Sequence, residues 1–304
     1  MRPQIKHLSF LGILLLSMTA HCSIFPSRQT DCSALRPCPS GQSCNIVTSV
    51  CEVTASIDMA ASVDLSDWVL PPGMVRVPGG QFMMGSDTGE LNEKPVHAQT
   101  VQAFALDITE VTVGAYKTCV DTMGCSLPVS GIPCNWGQSG KDNHPINCIP
   151  WLYADKYCKK IGKRLPTEIE FEYAMRGPSN APYSWGTDVP ISPPDSRAQL
   201  CWNRKTNPSI ATCVVGSYPK TLLGALDING VYDLAGNVDE FTSHLECGYP
   251  LTPDGGQNCS PLNDRSVRGR SFFEGNSANL RAAYRSMAQE TSYDATIGFR
   301  CAYP

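Results

Sequence analysis

The sequence predicts a loop-rich, disulfide-bonded fold that mixes short strands with short helices. Three observations carry this expectation. Glycine and proline occur 25 and 24 times in 304 residues, enough to punctuate the chain with turns. Fifteen cysteines suit an oxidising compartment, where they would be paired. Apolar residues recur with a period of two in some short stretches and with the helical period in others. The length accommodates one large domain or two modest ones, and 42% hydrophobic residues suffice for a core. A net charge of −4 lacks the basic excess of a nucleic-acid-binding surface.

Residues 1–21 read as an export signal: Arg2 and Lys6 precede an apolar run from Leu8 to Met18 that is too short to span a bilayer. Cys22 follows, placed like the lipidated cysteine of a bacterial lipoprotein, although His21 occupies a position that normally holds a small residue. Lipidation and simple secretion both remain open. Setting Cys22 aside leaves Cys32, Cys38, Cys44 and Cys51 in one group and ten cysteines beyond residue 100, each an even number. Residues 22–52 thus form a small cysteine-rich module that depends on its bridges. It reads as a spacer or a small recognition module. Residues 53–72 are an Ala/Ser/Asp-rich linker ending at Pro71-Pro72, and residues 73–304 form the main domain.

That domain opens with Val75/Val77 and Phe82/Met84 alternating around Pro78-Gly79-Gly80, which predicts a hairpin. A further strand is expected near Val101 to Leu106, and His97 just before it reads as structural. Thr112 caps a helix carrying Val113, Tyr116 and Val120 on one side. Trp151, Ala154, Cys158 and Ile161 mark a second helix, stopped by Gly162. The clearest helix follows: Thr167 and Glu170 have the spacing of a capping box, Ile169, Phe171, Tyr173 and Ala174 form its apolar side, and Gly177-Pro178 ends it. Cys201/Cys213 and Cys247/Cys259 are Cys-x11-Cys pairs suited to local loops. Cys119, Cys125, Cys134 and Cys148 allow three pairings.

Together these motifs resemble the formylglycine-generating enzyme (sulfatase-modifying factor) family. The resemblance spans about Met74 to Ala302 and rests on Val77-Pro-Gly-Gly-Gln-Phe-Met-Met-Gly85, Thr109-Glu-Val-Thr112, His144-Pro145, Arg164-Leu-Pro-Thr-Glu168, Tyr183-Ser-Trp-Gly186, Val215-Gly-Ser217, Val231-Tyr-Asp-Leu-Ala-Gly-Asn-Val238, Arg268-Gly-Arg-Ser271 and Ile297-Gly-Phe-Arg-Cys301. It implies a C-type-lectin-like α+β fold and a Cys158–Cys301 bridge. A second family bridge is lost at both ends, where Met175 and Ala282 stand. The family oxidises a peptide cysteine through copper(I) held by two thiolates, and soft thiolates suit that ion. No cysteine lies between Cys259 and Cys301 here, so copper is not expected. The resemblance also implies a calcium site, with Asp233 and Glu240 supplying side chains and Gly236 and Val238 supplying backbone carbonyls, all hard oxygen donors. Asp239 adds charge beside them, while Asp239, Phe241 and Thr296 depart from the family pattern.

No nucleophile elbow, zinc-protease motif or phosphate-cradling loop is present. The expected function is therefore a non-catalytic peptide- or glycan-binding or scaffold protein of the cell envelope, monomeric and attached to a membrane only through a lipid. The alternative is a formylglycine-generating oxidoreductase, or another enzyme of the family using a different centre. The expected pocket comprises Phe272, Phe273, Glu274, Ser277, Arg281, Tyr284 and Arg285, in which aromatic faces and guanidinium groups suit recognition. A buried core strand is an equal expectation for the Phe-Phe pair.

Overall fold

The computed structural model describes residues 69–187, 200–202, 211–218, 230–252 and 255–304, together with four short strands between residues 21 and 53. The expected export signal lies outside the described residues except for His21. The chain divides into two units, Met1–Leu65 and Ser66–Pro304, the division falling inside the stretch expected as a linker. In the first unit β1 (His21–Ile24) pairs antiparallel with β2 (Arg28–Asp31), and β3 (Gln42–Asn45) with β4 (Val50–Val53). The latter register sets Cys44 opposite Cys51.

The second unit begins with β5 (Met74–Val77) and β6 (Gly80–Met84). These do not form the expected hairpin. β5 pairs with β8 (Phe104–Asp107), and β6 pairs with β7 (His97–Val101), all antiparallel. The two chain segments thus run beside each other as one ribbon with a corner at Pro78-Gly79. A Cβ on Gly79 would stand 2.6 Å from the Val101 carbonyl oxygen and 2.8 Å from the Ala103 nitrogen. The glycine therefore serves a close backbone approach at the corner rather than a hairpin turn.

Three helices follow. In α1 (Val113–Met123) the Thr112 hydroxyl accepts the Ala115 N–H, and Gly124 ends the helix in the left-handed conformation. α2 (Trp151–Lys160) buries Trp151, Ala154 and Cys158 as its period predicts. α3 (Glu168–Arg176) carries the complete capping box: Thr167 accepts the Glu170 N–H while Glu170 accepts the Thr167 N–H. The chain then builds β9 (Asp239–Leu245), β10 (Gly248–Thr252), β11 (Gly255–Gln257), β12 (Asp264–Arg268), β13 (Ser286–Gln289), β14 (Ile297–Gly298) and β15 (Ala302–Tyr303). One sheet has the order β13-β12-β9-β14, with β14 parallel to β9 at Asp239 and Glu240; another has the order β15-β8-β5. This is an α+β arrangement with much irregular chain.

Two apolar clusters fill the interior. One gathers Val77, Phe82, Met84, Phe171 and Tyr173, and it includes Met175 and Ala282. The two residues at the lost bridge positions thus share one core cluster. The other packs Tyr116, Trp151, Tyr157 and Phe299 around the Cys158–Cys301 disulfide. The undecided cysteines pair as Cys119–Cys125 and Cys134–Cys148, and both Cys-x11-Cys pairs close their own loops.

Cys158 and Cys301 are 143 residues apart. By chain-entropy scaling, replacing both with alanine costs about 5 kcal/mol. Urea denaturation of the oxidised double variant should register that loss, whereas a change below about 1 kcal/mol would mean that packing alone holds α2 to the C-terminus.

Candidate functional site

The site grows out of the turn that feeds β9. Asp233, Gly236 and Asn237 have positive φ values of 56°, 88° and 59°, which coil the chain tightly just before the strand. Gly236 is required here on two counts, because a Cβ would also come within 2.9 Å of the Cys201 carbonyl oxygen. Asn237 tethers what surrounds it. Its side-chain oxygen accepts the Cys213 N–H at 2.9 Å, its amide donates to Glu110 Oε1 at 2.9 Å, and its backbone N–H donates to the Cys201 carbonyl.

Behind this turn lies a buried carboxylate cluster. Arg300 donates to both oxygens of Glu240, from Nη2 to Oε1 at 2.7 Å and from Nε to Oε2 at 2.8 Å. Asp233 Oδ2 accepts the Gly216 N–H at 2.7 Å, while Glu110 Oε2 is buried without a hydrogen-bond partner. Burial raises the pKa of all three carboxyls; the charge of Asp233 raises Glu110 and Glu240 further, and Arg300 opposes the rise in each. Of the three, Glu240 alone is bonded to the guanidinium, and Glu110 and Asp233 feel it only through its charge. Carboxylate and carbonyl oxygens are the donor type that calcium takes, although Arg300 already holds both oxygens of Glu240. The family set needs only Asp233 and Glu240 as side chains beside two carbonyls. Among the described residues no three Asp, Glu, His or Cys side chains converge to hold a metal by themselves.

On the neighbouring face, a cavity of about 210 Å³ is lined by Asp239, Arg270, Ser271, Phe273, Glu274, Met287, Asp294 and Thr296, with Val267, Ser286 and Ile297. Asp239 is 6% exposed. Burial pushes its carboxyl up to about 7 against the opposing effects of Arg270 and a Ser271 hydrogen bond, with Glu274 and Asp294 adding to the rise. Arg270 donates from Nε to Glu274 Oε2 at 2.9 Å and stacks 4.7 Å from the Tyr284 ring centroid. Glu274 also accepts the backbone N–H groups of Gly275 and Asn276 and the Asn279 amide. Burial resists its ionisation, but these donors and Arg270 outweigh it and hold the group at about 2.

Of the seven residues expected at the pocket, Phe273 and Glu274 line this cavity and the other five are placed elsewhere. Phe272 is buried against the Cys201–Cys213 bridge and Tyr218. Ser277 opens the 3₁₀ turn Ser277–Leu280. Arg281 pairs with buried Glu93, and Tyr284 lies between Arg270 and Arg281. Arg285 is buried, grips Glu168 with Nε and Nη2 at 2.5 and 2.8 Å, and stacks over Tyr249 at 4.1 Å. Arg268, beside it, reaches Glu172 at 2.5 Å and Glu168 at 3.3 Å. The carboxylates that claim these arginines come from α3 and from residue 93, distant segments that local sequence does not connect to them. Of the other lining residues, Arg270 lies in the Arg268 to Arg285 segment that the resemblance sets at the pocket, Asp239 is read from the sequence as charge beside the calcium ligands and Thr296 as a departure from the family pattern, and Asp294 carries no sequence signal.

The comparisons agree with the resemblance. The profile of the sulfatase-modifying factor enzyme 1-like domain matches residues 65–303. The serine/threonine-protein kinase Pkn1 of Chlamydia trachomatis is 31% identical over 255 residues, which cover 75% of this chain and only 38% of the relative. The formylglycine-generating enzyme of Streptomyces coelicolor is 28% identical over 288 residues (76% of this chain, 88% of the relative). The inactive C-alpha-formylglycine-generating enzyme 2 of Bos taurus is 28% identical over 289 residues (75% and 87%). Among solved structures, that of PvdO from Pseudomonas aeruginosa superposes with a TM-score of 0.60 at 24% identity, covering 76% of this chain and 93% of that one. It shares the fold.

Glu274 provides a pH test of the cavity wall. Its folded pKa of about 2 lies below the ordinary 4.5, so its stabilising contribution is present above pH 4.5 and is lost as pH falls toward 2. The urea midpoint should drop over that window, and Glu274→Gln should reduce the drop. An identical acid profile in the variant would remove Glu274 from this role.

Proposed function

The chain belongs to the sulfatase-modifying factor enzyme 1-like domain family, and we propose that it is an exported, non-catalytic member that binds a peptide or glycan in the cell envelope. The observation that carries this reading is the composition of the cavity. Asp239, Arg270 and Glu274 supply charge, Phe273 supplies an aromatic face at 43% exposure, and no cysteine occurs from Phe272 to Arg300. Every cysteine between Cys119 and Cys301 is in a disulfide. Copper(I) would find no thiolate there, whereas charge beside an aromatic ring suits recognition. Relatives of equal identity include one named a formylglycine-generating enzyme and one named an inactive one, so family membership is compatible with a binding role.

Five disulfides in the second unit support export to an oxidising compartment. Among the described residues no helix is long and apolar enough to cross a membrane; a lipid on Cys22 would tether the monomer in the cell envelope, in the periplasm or at the outer membrane, and without it the protein is secreted. An enzyme of the family with another centre is the second reading. Asp239 favours it, because its buried carboxyl opens onto the cavity, where a base could meet a bound substrate.

Arrays of envelope peptides and glycans probed with the oxidised protein separate these readings from inert structure. Phe273→Ala should weaken binding at least tenfold with little change in melting temperature. Binding indifferent to Phe273 would remove the cavity as the site. A cysteine peptide incubated in air with the protein, with and without copper(I), should keep its thiol by mass spectrometry; conversion to formylglycine would establish the second reading.

Calcium belongs to the same proposal, held by the Asp233 and Glu240 side chains and the Gly236 and Val238 carbonyls. Bound there, it would neutralise the cluster that Arg300 leaves in excess of negative charge. At free calcium a hundredfold above the dissociation constant, the protein should gain about 2.7 kcal/mol. Glu240→Gln should lower the calcium-free stability, since Arg300 loses its carboxylate, and should also shrink the gain on adding calcium. Melting curves that coincide with calcium and with chelator would reject the site.

A further inference from the structure

Asp239 is 6% exposed, lines the cavity, and has an Oδ1 atom without a hydrogen-bond partner. Arg270 Nη1 stands 3.7 Å away, but the guanidinium is turned to Glu274, which takes both its Nε and Nη2 donors. Glu274 is itself fully engaged by four donor groups, and Asp294 Oδ1 accepts the N–H and hydroxyl of Thr296. Among the buried acceptors that line the cavity, Asp239 Oδ1 is the one left without a hydrogen bond. Three carboxylates and one guanidinium line the cavity, so the charge that complements it is positive. An unsatisfied buried acceptor costs the free protein stability, and a ligand donor that satisfies it recovers that cost on binding.

The rest of the cavity restricts which cation fits. Phe273 and Met287 are 43% and 58% exposed and give it apolar surface, a poor match for a hydrated metal ion and a good one for methylene groups. We infer that the cavity binds an alkylammonium group, namely a lysine side chain of a peptide, with the ammonium on Asp239 and the methylene stem against Phe273 and Met287. The volume of about 210 Å³ admits one such side chain. An amino sugar carries the same charge but would set hydroxyls against Phe273 and Met287, where a lysine stem sets methylenes. This assignment rests on the cavity being the binding site and narrows its ligand.

The test uses the oxidised protein with calcium in excess and calorimetric or NMR titration. The probes are N-acetyl-lysine methylamide, N-acetyl-norleucine methylamide, which has the same stem without the amine, and glucosamine. The lysine probe should bind at least tenfold tighter than the norleucine probe, and Asp239→Asn should abolish that difference. Equal binding of the two amides, a preference that survives in Asp239→Asn, or no saturable lysine binding overturns the assignment. So does tighter binding of glucosamine. The comparison of the two amides on the unaltered protein keeps the test decisive even where Asp239→Asn folds poorly. If Phe273→Ala still abolishes array binding while lysine and norleucine bind alike, the cavity stands as the site and only its amine selectivity falls.

Discussion

The ion-pair network of Arg268 and Arg285 with Glu168 and Glu172 is the constraint on which the site depends. All four side chains are fully excluded from solvent. Ionised groups in that environment are tolerated only when paired and hydrogen-bonded, and removing one partner typically costs about 3–5 kcal/mol. Burial opposes ionisation of Glu168, yet Arg285 and Arg268 together hold its pKa below the ordinary value. The network joins the first two turns of α3 to the end of β12 and to the residue before β13. Between those strand ends runs residues 269–285, the segment that forms the cavity wall. Arg268 also donates to the Ala282 carbonyl at 2.6 Å, so the return of that segment is fixed at the same point.

Once the segment is anchored, its chemistry follows from which residues are left over. Arg270, with a positive φ of 62°, turns away from the buried pairs and meets Glu274 and Tyr284. Asp239 enters from the opposite side, at the first residue of β9, where β14 pairs alongside it. The same short stretch of chain therefore serves two regions. Asp233 and Glu240 face the Arg300 cluster, while Asp239, one residue from Glu240, faces the cavity. Alternation of side chains along a strand accounts for that division. The core tells a parallel story, since Met175 and Ala282 keep one cluster filled where the family resemblance implies a bridge.

Motifs whose requirements are met within a few residues were legible in the sequence. Thr167 with Glu170, the stop at Gly177, the Thr112 cap and the Cys-x11-Cys loops all depend on groups close along the chain, and each forms as read. The order of motifs along residues 74–302 also made the fold legible. The cavity was only partly so. Phe273 and Glu274 can be read from the sequence, but Arg281 and Arg285 read as cavity residues too, because an arginine beside aromatic residues has the same local appearance whether it faces solvent or a buried carboxylate.

By itself, then, the sequence determined the short-range chemistry of this protein: where helices start and stop, which loops cysteines close, and that no thiol stands in the segment where the family holds copper. Tertiary structure decided whatever depends on partners remote in the chain. It paired Met74–Val77 with Phe104–Asp107 instead of with Gly80–Met84, chose Cys119–Cys125 and Cys134–Cys148 among three possibilities, drew Arg285 to Glu168 across 117 residues, and left one oxygen of Asp239 without a hydrogen bond. The physical reason is that a buried charge or thiol is satisfied by whichever group packing brings within bonding distance, and that distance is a property of the folded chain.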